Sequence, residues 1–196
     1  MEAAEQTVAI DKFVPTWRKP SFVGEDKSGT AYGNAVHTLM RYIRMSQCSD
    51  TSGVEEEIRR LVAEKCISER EARIISAQKV ADFFKSEIGT QLRNHPNVIR
   101  EFKFSILDDA QKYNEGVRSE KVLLQGVVDC AMIFDDGITV IDFKTDYVTD
   151  ETISQASEKY RSQIETYAGA LSRIYNLPVK SAVLYFFHNG TAVTVI

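Results

Sequence analysis

Residues 126–148 read GVVDCAMIFDDGITVIDFKTDYV. Two apolar, β-branched runs flank Asp135-Asp136-Gly137, the pattern of a β-hairpin. Asp129, Asp142 and Lys144 interrupt the runs. Charges among apolar residues are costly unless they are paired or hold an ion. A two-residue loop at Asp136-Gly137 sets Asp135 opposite Ile138, Asp129 opposite Lys144 and Ala131 opposite Asp142. Asp142 and Lys144 are two apart and share a face. Asp129 joins them there, diagonal to Asp142. A four-residue loop keeps this register, whereas a three-residue loop turns the strand over. Val127, Ile133, Ile138 and Val140 share the charged face, and Val128, Met132, Ile141 and Phe143 fill the other. Such strands are covered on both sides.

Two carboxylates and an ammonium thus converge in a semi-dry place. Carboxylate oxygens suit a hard divalent cation such as Mg²⁺. A lysine beside them can hold a water and offset phosphate charge. The set fits metal-assisted phosphodiester hydrolysis. Spacing alone also fits a buried Asp–Lys ion pair with a second aspartate near the surface.

Outward from the hairpin, the first half of the chain is helical. Residues 1–30 read as an irregular arm with Pro15, Pro20 and Gly24. Val36, Leu39, Met40 and Ile43 form one apolar stripe. A second helix turns Val54, Ile58, Leu61 and Val62 inward. Ser68 and Glu71 form a capping box that opens a third helix running through SEREARIISAQKVADFFKSEIG. From Asn94–Pro96 the pattern changes. VIREFKFSIL is a strand, 108–120 a polar loop, and 121–134 and 138–148 the hairpin strands. A long helix ends at Asn176 and Pro178, and two strands close the chain around His188-Asn189-Gly190. Helices, three strands, a helix and two strands predict an α/β fold with helices sandwiching the sheet.

Several residues have plainer readings. His37 sits on the apolar stripe, where a histidine is commonly a core residue. Tyr160 and Arg161 read as a solvated helix face. Glu55-Glu56-Glu57 with Arg59-Arg60 read as exposed i,i+4 pairing. His95 is a loop residue, and His188 and Asn189 sit in a turn without a role.

The composition, 43% hydrophobic and 27% charged, is that of a soluble globular protein. No apolar run approaches the ~20 residues of a membrane span. The acidic start MEAAEQTVAIDKF is no secretory signal, which favours the cytoplasm. The three cysteines, Cys48, Cys66 and Cys130, form no CxxC pair. Disulfides, structural zinc and an iron–sulfur cluster are not expected. A net charge of −4 argues against a stand-alone DNA binder, but not against a local basic groove.

Gly126-x-x-Asp129 followed by Ile141-Asp142-x-Lys144 resembles the D…(D/E)xK core of the PD-(D/E)xK nuclease superfamily. Gln163-x-x-x-Tyr167 on the next helix is similar to the QxxxY motif of its RecB-type branch. Gly33-x-x-x-His37 is similar to that branch's GxxxH motif, and Glu101 matches a glutamate on its first core strand. From about Pro20 to the C-terminus the chain resembles the nuclease domains of AddA-type helicase–nucleases.

The resemblance implies a restriction-endonuclease-like mixed β-sheet flanked by helices. It implies one RecB-type domain over 31–196, helical in 31–93, with a sheet core in 94–196 and the motif helix at 151–176. It implies that His37, Asp129, Asp142 and the Phe143 carbonyl bind Mg²⁺ or Mn²⁺, and that Lys144 positions the attacking water. Glu101 would assist catalysis, and Gln163 and Tyr167 would touch DNA. The implied activity is that of a DNA exonuclease in double-strand break repair and recombination. It would cut single-stranded DNA delivered by a helicase, beside an AddB-like subunit. No GxxxxGK[ST] P-loop occurs here, so unwinding is expected from a helicase portion of the same or a partner chain. A catalytically silent module of the same fold, holding DNA or a partner, is the alternative.

Overall fold

The computed structural model describes residues 27–112 and 120–196. The arm expected over 1–30 lies outside these residues, except for the backbone of its last four. Strand β3, Gly137–Lys144, is buried at every position and forms the centre of the sheet. Its neighbours are β2, Lys121–Phe134, and β4, Val179–Phe186, with β1, Val98–Asp109, and β5, Thr191–Thr194, at the edges. The order is β1-β2-β3-β4-β5. Among the described residues only the β3–β4 pair is parallel. A parallel neighbour requires a crossover, and helix α6, Ile153–Tyr175, supplies it.

Helix α6 covers one face of the sheet. Tyr160, Ile164, Tyr167 and Leu171 pack there against Ile133, Ile138, Val140, Leu184 and Phe186. Asn176 ends α6 in the left-handed conformation, at φ 54°, a position that favours Gly or Asn.

The other face carries the helical half: α1, Lys27–Tyr42, α2, Thr51–Ala63, α3, Glu69–Ile74, α4, Ala77–Lys85, and α5, Glu87–Asn94. The expected stripe Val36, Leu39, Met40 and Ile43 is buried. Phe83 of α4 anchors this layer to the sheet. Its ring lies 4.7 Å from Tyr185, 5.4 Å from Phe143 and 5.7 Å from Phe187.

The single third helix expected from Ser68 is three helices. Its capping box is present. Two further serines cut the run, because the Ser76 and Ser86 side chains accept from the amides of Lys79 and Gly89 and so start α4 and α5. At Gly89 a Cβ would fall 1.9 Å from the Phe83 carbonyl oxygen. Glycine is what lets the chain turn so tightly there.

Glu57 also departs from its expected exposed role. It is buried, 2.6 Å from Arg60, and accepts the Arg44 amide at 2.8 Å.

The hairpin register differs from expectation by two residues. Phe134 pairs with Gly137 and Ile133 with Ile138, so Asp135-Asp136 form the loop. A shift of two keeps every side chain on its face. Asp129, Asp142 and Lys144 therefore still converge, but Asp129 now comes level with Asp142 rather than Lys144. Val128 contradicts its expected face: it joins the α6-side core with Ala131 and Ile133. The cause is a local reversal where β1 and β2 cross the site. Glu101 has φ 50°, and the ladder lacks a Glu101–Asp129 pair while holding register on both sides. Ile99 and Phe102 consequently pack on the same side of the sheet.

Candidate active site

β2 and β3 stop pairing at Cys130–Ile141. Beyond that point the Asp129 side chain replaces the missing ladder partner, and its Oδ2 accepts the Phe143 amide at 2.8 Å. In an antiparallel strand a residue's N–H and C=O project toward the same neighbour. The Phe143 carbonyl therefore faces the same gap as Asp129.

Helix α1 brings His37 to the gap from the helical face. Its Nδ1 lies 3.3 Å from Asp129 Oδ1, with the two side chains 24% and 12% exposed. Gly33, one turn earlier, gives the helix its close approach, since a Cβ there would meet Thr145 Oγ1 at 2.9 Å. Burial alone would lower the His37 pKa, but the charge and hydrogen bond of Asp129 outweigh it and raise the value to about 9. Burial would in turn raise Asp129, and His37 holds it below the ordinary carboxylate value. Glu101 stands beside them, raised by burial and by the Asp129 charge. Ligand atoms of His37, Glu101 and Asp129 lie within 4.8 Å of one another.

Asp142 and Lys144 approach from the α6 side. Their Oδ2 and Nζ are 2.6 Å apart, with side chains only 3% and 6% exposed. The contact is a short buried ion pair, and among the described residues Asp142 Oδ2 has no hydrogen-bond partner besides Lys144. Burial lifts the Asp142 pKa, Lys144 opposes it and Asp129 adds to it, bringing the value to about 6.

Lys144 Nζ donates to Gln163 Oε1 at 3.0 Å, and Gln163 Nε2 donates to the Tyr167 hydroxyl at 2.8 Å. The two motif residues of α6 are thus one turn apart and linked to each other and to the lysine.

All the expected side chains meet at this gap: His37, Glu101, Asp129, Asp142, Lys144, Gln163 and Tyr167. Their grouping differs in one respect. The tight triad contains Glu101, which was expected to have only an auxiliary role, whereas Asp142 is engaged by Lys144. Tyr160 contradicts its reading as part of a solvated face. It is buried, its ring lies 3.9 Å from Lys144 Nζ, and its hydroxyl donates to Asp146 at 2.8 Å. The stripe Tyr160-Ile164-Tyr167-Leu171, at helical spacing, was the signal for it. Arg161 is exposed and pairs with Glu158.

Three features fit a hard divalent cation. They are the compact triad, the buried Asp142 oxygen whose close partner is Lys144, and an oxygen-rich donor set with one imidazole.

Residues 16–194 match the family model of the PD-(D/E)XK nuclease superfamily. The chain belongs to the PD-(D/E)XK nuclease superfamily. Its five-stranded mixed sheet flanked by helices is consistent with that superfamily's restriction-endonuclease-like fold. It is similar to the A subunit of the ATP-dependent helicase/nuclease of Clostridium botulinum (strain Loch Maree / Type A3), with 34% identity covering 95% of this chain and 15% of the relative. The corresponding protein of Bacillus cytotoxicus is 32% identical, covering 99% and 17%. That of Thermoanaerobacter sp. (strain X514) is 32% identical, covering 88% and 14%. The chain therefore spans less than a fifth of the length of these relatives. Among the described residues, no helix of this superfamily member is long and apolar enough to cross a membrane. Cys48 and Cys130 are buried free thiols, and Cys66 is partly buried.

Proposed function

We propose that the chain is a metal-dependent deoxyribonuclease, the nuclease part of a helicase–exonuclease that cuts single-stranded DNA. The observation that carries this reading is the convergence of Asp129, Asp142 and Lys144 with His37 and Glu101 at one break in the sheet, with the buried Asp142 Oδ2 held among the described residues by Lys144 alone. The names of the relatives support a helicase in the same or a partner chain. A cytoplasmic location, a role in double-strand break repair and recombination, and pairing with an AddB-like subunit belong to the same proposal.

His37, Asp129, Asp142 and the Phe143 carbonyl would hold Mg²⁺, or Mn²⁺ in its place, with Glu101 beside them. When bound, the ion supplies Lewis acidity toward the phosphate and lowers the pKa of water. Lys144 is oriented by Asp142 and Gln163, with Tyr160 closing one flank. Its ammonium would hydrogen-bond the incoming oxygen and the phosphate, where negative charge grows as water adds to phosphorus, the P–O bond to the sugar breaks, and a proton lost by the water is balanced by one gained by the departing sugar oxygen. Gln163 and Tyr167 fix the lysine and contact the strand.

Lys144→Ala tests the assignment. It should lower cutting of labelled single-stranded DNA by at least ~100-fold, the usual effect of removing one charge-stabilising donor. It should keep the rise in melting temperature that Mg²⁺ gives the wild type, whereas Asp129→Asn should lose that rise. Cutting by Lys144→Ala at the wild-type rate would overturn the proposal. A silent module would show no cutting by either protein.

A further inference from the structure

Tyr147 lies three residues beyond Lys144, in the segment that joins β3 to α6. It is 77% exposed. An exposed tyrosine on a loop is ordinary, but this one is propped in place. Its ring centroid lies 4.1 Å from that of His188. The His188 ring is itself fixed, with Nδ1 3.1 Å from the Val148 carbonyl, and the His188 carbonyl accepts Lys79 Nζ at 2.8 Å. The turn that carries His188 thus supports Tyr147 from beneath and leaves much of its surface open to solvent.

The segment is tied to the reaction centre. Asp146 accepts the Tyr160 hydroxyl, and the Tyr160 ring lies 3.9 Å from Lys144 Nζ. An open cavity of about 390 Å³ runs between the segment and α6, lined by Asp146, Tyr147, Gln155, Lys159 and Tyr160 among others. Lys159 is exposed on its rim, 3.4 Å from the Tyr160 hydroxyl. The Asp146 carboxylate on the same rim is taken up by Tyr160. A rigid exposed aromatic beside an exposed cation is the combination that binds single strands, the ring stacking a base and the ammonium meeting a phosphate.

We infer that Tyr147 is a stacking platform for a nucleobase of the single-stranded DNA, with Lys159 holding a neighbouring phosphate. This rests on the nuclease reading above. It adds a contact that guides the strand by its bases and is independent of sequence, since every base has a π-face.

The test measures binding, not cutting. A fluorescent oligothymidylate of about twelve nucleotides is titrated by anisotropy into the Asp142→Asn protein, with or without a second change. Tyr147→Ala should weaken binding about tenfold, and Tyr147→Trp should restore it to within about twofold, because stacking contributes ~1–3 kcal/mol per base. On an abasic oligomer of equal length, Tyr147→Ala should bind like its parent. Lys159→Ala should weaken both oligomers and reduce the salt dependence by about one phosphate contact. Equal binding of oligothymidylate by Tyr147→Ala and its parent, or an equal loss on the abasic oligomer, would overturn the stacking role while leaving the nuclease reading intact. If the parent binds no oligothymidylate and the wild type cuts none, both fail together.

Discussion

His37 and Asp129 hold opposite ends of one hydrogen-bonded pair, and their proton balance makes the site sensitive to pH. His37 is raised to about 9 in the folded chain, above its unfolded value near 6.5. The stability it contributes is therefore fully present below about pH 6.5 and is lost as pH rises through about 9. Asp142, at about 6, is raised above an unfolded value near 3.9, so its contribution already declines between about pH 4 and 6. Asp129 is shifted down, and what it contributes is lost only on acidification. In EDTA, the melting temperature should fall between pH 6.5 and 9, and His37→Gln should flatten that fall. Divalent metal requires a neutral imidazole and ionised carboxylates, so its stabilising effect should grow over the same range. A wild-type melting temperature in EDTA that stays level from pH 6.5 to 9 would contradict the His37–Asp129 pairing.

Two of the elements that deliver the site, β1 and α1, each need a local irregularity to do so. On β1, Glu101 takes φ 50° without being glycine. Such a conformation costs about 1–3 kcal/mol and persists only where the surroundings impose it, commonly at functional sites. The reversal brings the Glu101 carboxylate to Asp129 while Phe102, Phe104 and Ile106 stay on the core face. On α1, Gly33 admits Thr145 so closely that a methyl group would collide with Oγ1. Gly33→Ala should therefore push α1 from β3, cost about 1–3 kcal/mol as overpacking does, and weaken metal binding by moving His37. Thr145→Ala in the same chain should recover most of both losses. Failure of that rescue, with α1 unmoved, would show that the glycine serves something other than close approach.

For the molecule taken together, the main architecture was readable because most of its elements carry local signals. The apolar stripe of α1, the capping box of Ser68, the alternation of the strands and Asn176 after α6 are local signals, and they agree with one another. The convergence of Asp129, Asp142 and Lys144 was legible for a subtler reason. Side chains alternate with period two, so a register wrong by two residues still gives the right face. What sequence could not give was set by tertiary contact. Asp135-Asp136 and Asp136-Gly137 are both acceptable loops, and the pairing of Ile133 with Ile138 decides between them. Ser76 and Ser86 could sit on a continuous helix face, and they become caps where the chain turns so that Phe83 and Phe84 of α4 and Leu92 of α5 reach one core. The positive φ of Glu101 carries no local signal. Tyr160 read as part of a solvated face with Arg161, yet it is buried and Lys144 lies over its ring.

Cleavage itself decides whether this break in the sheet is the proposed metal-dependent phosphodiesterase centre. End-labelled single-stranded DNA is incubated with the wild type in Mg²⁺, in Mn²⁺ and in EDTA, beside Asp142→Ala. The expected result is cutting by the wild type in either metal, none in EDTA, and at least a ~100-fold loss in the variant at an unchanged fold. Cutting that survives EDTA, or an Asp142→Ala protein as active as the wild type, would contradict the proposed function.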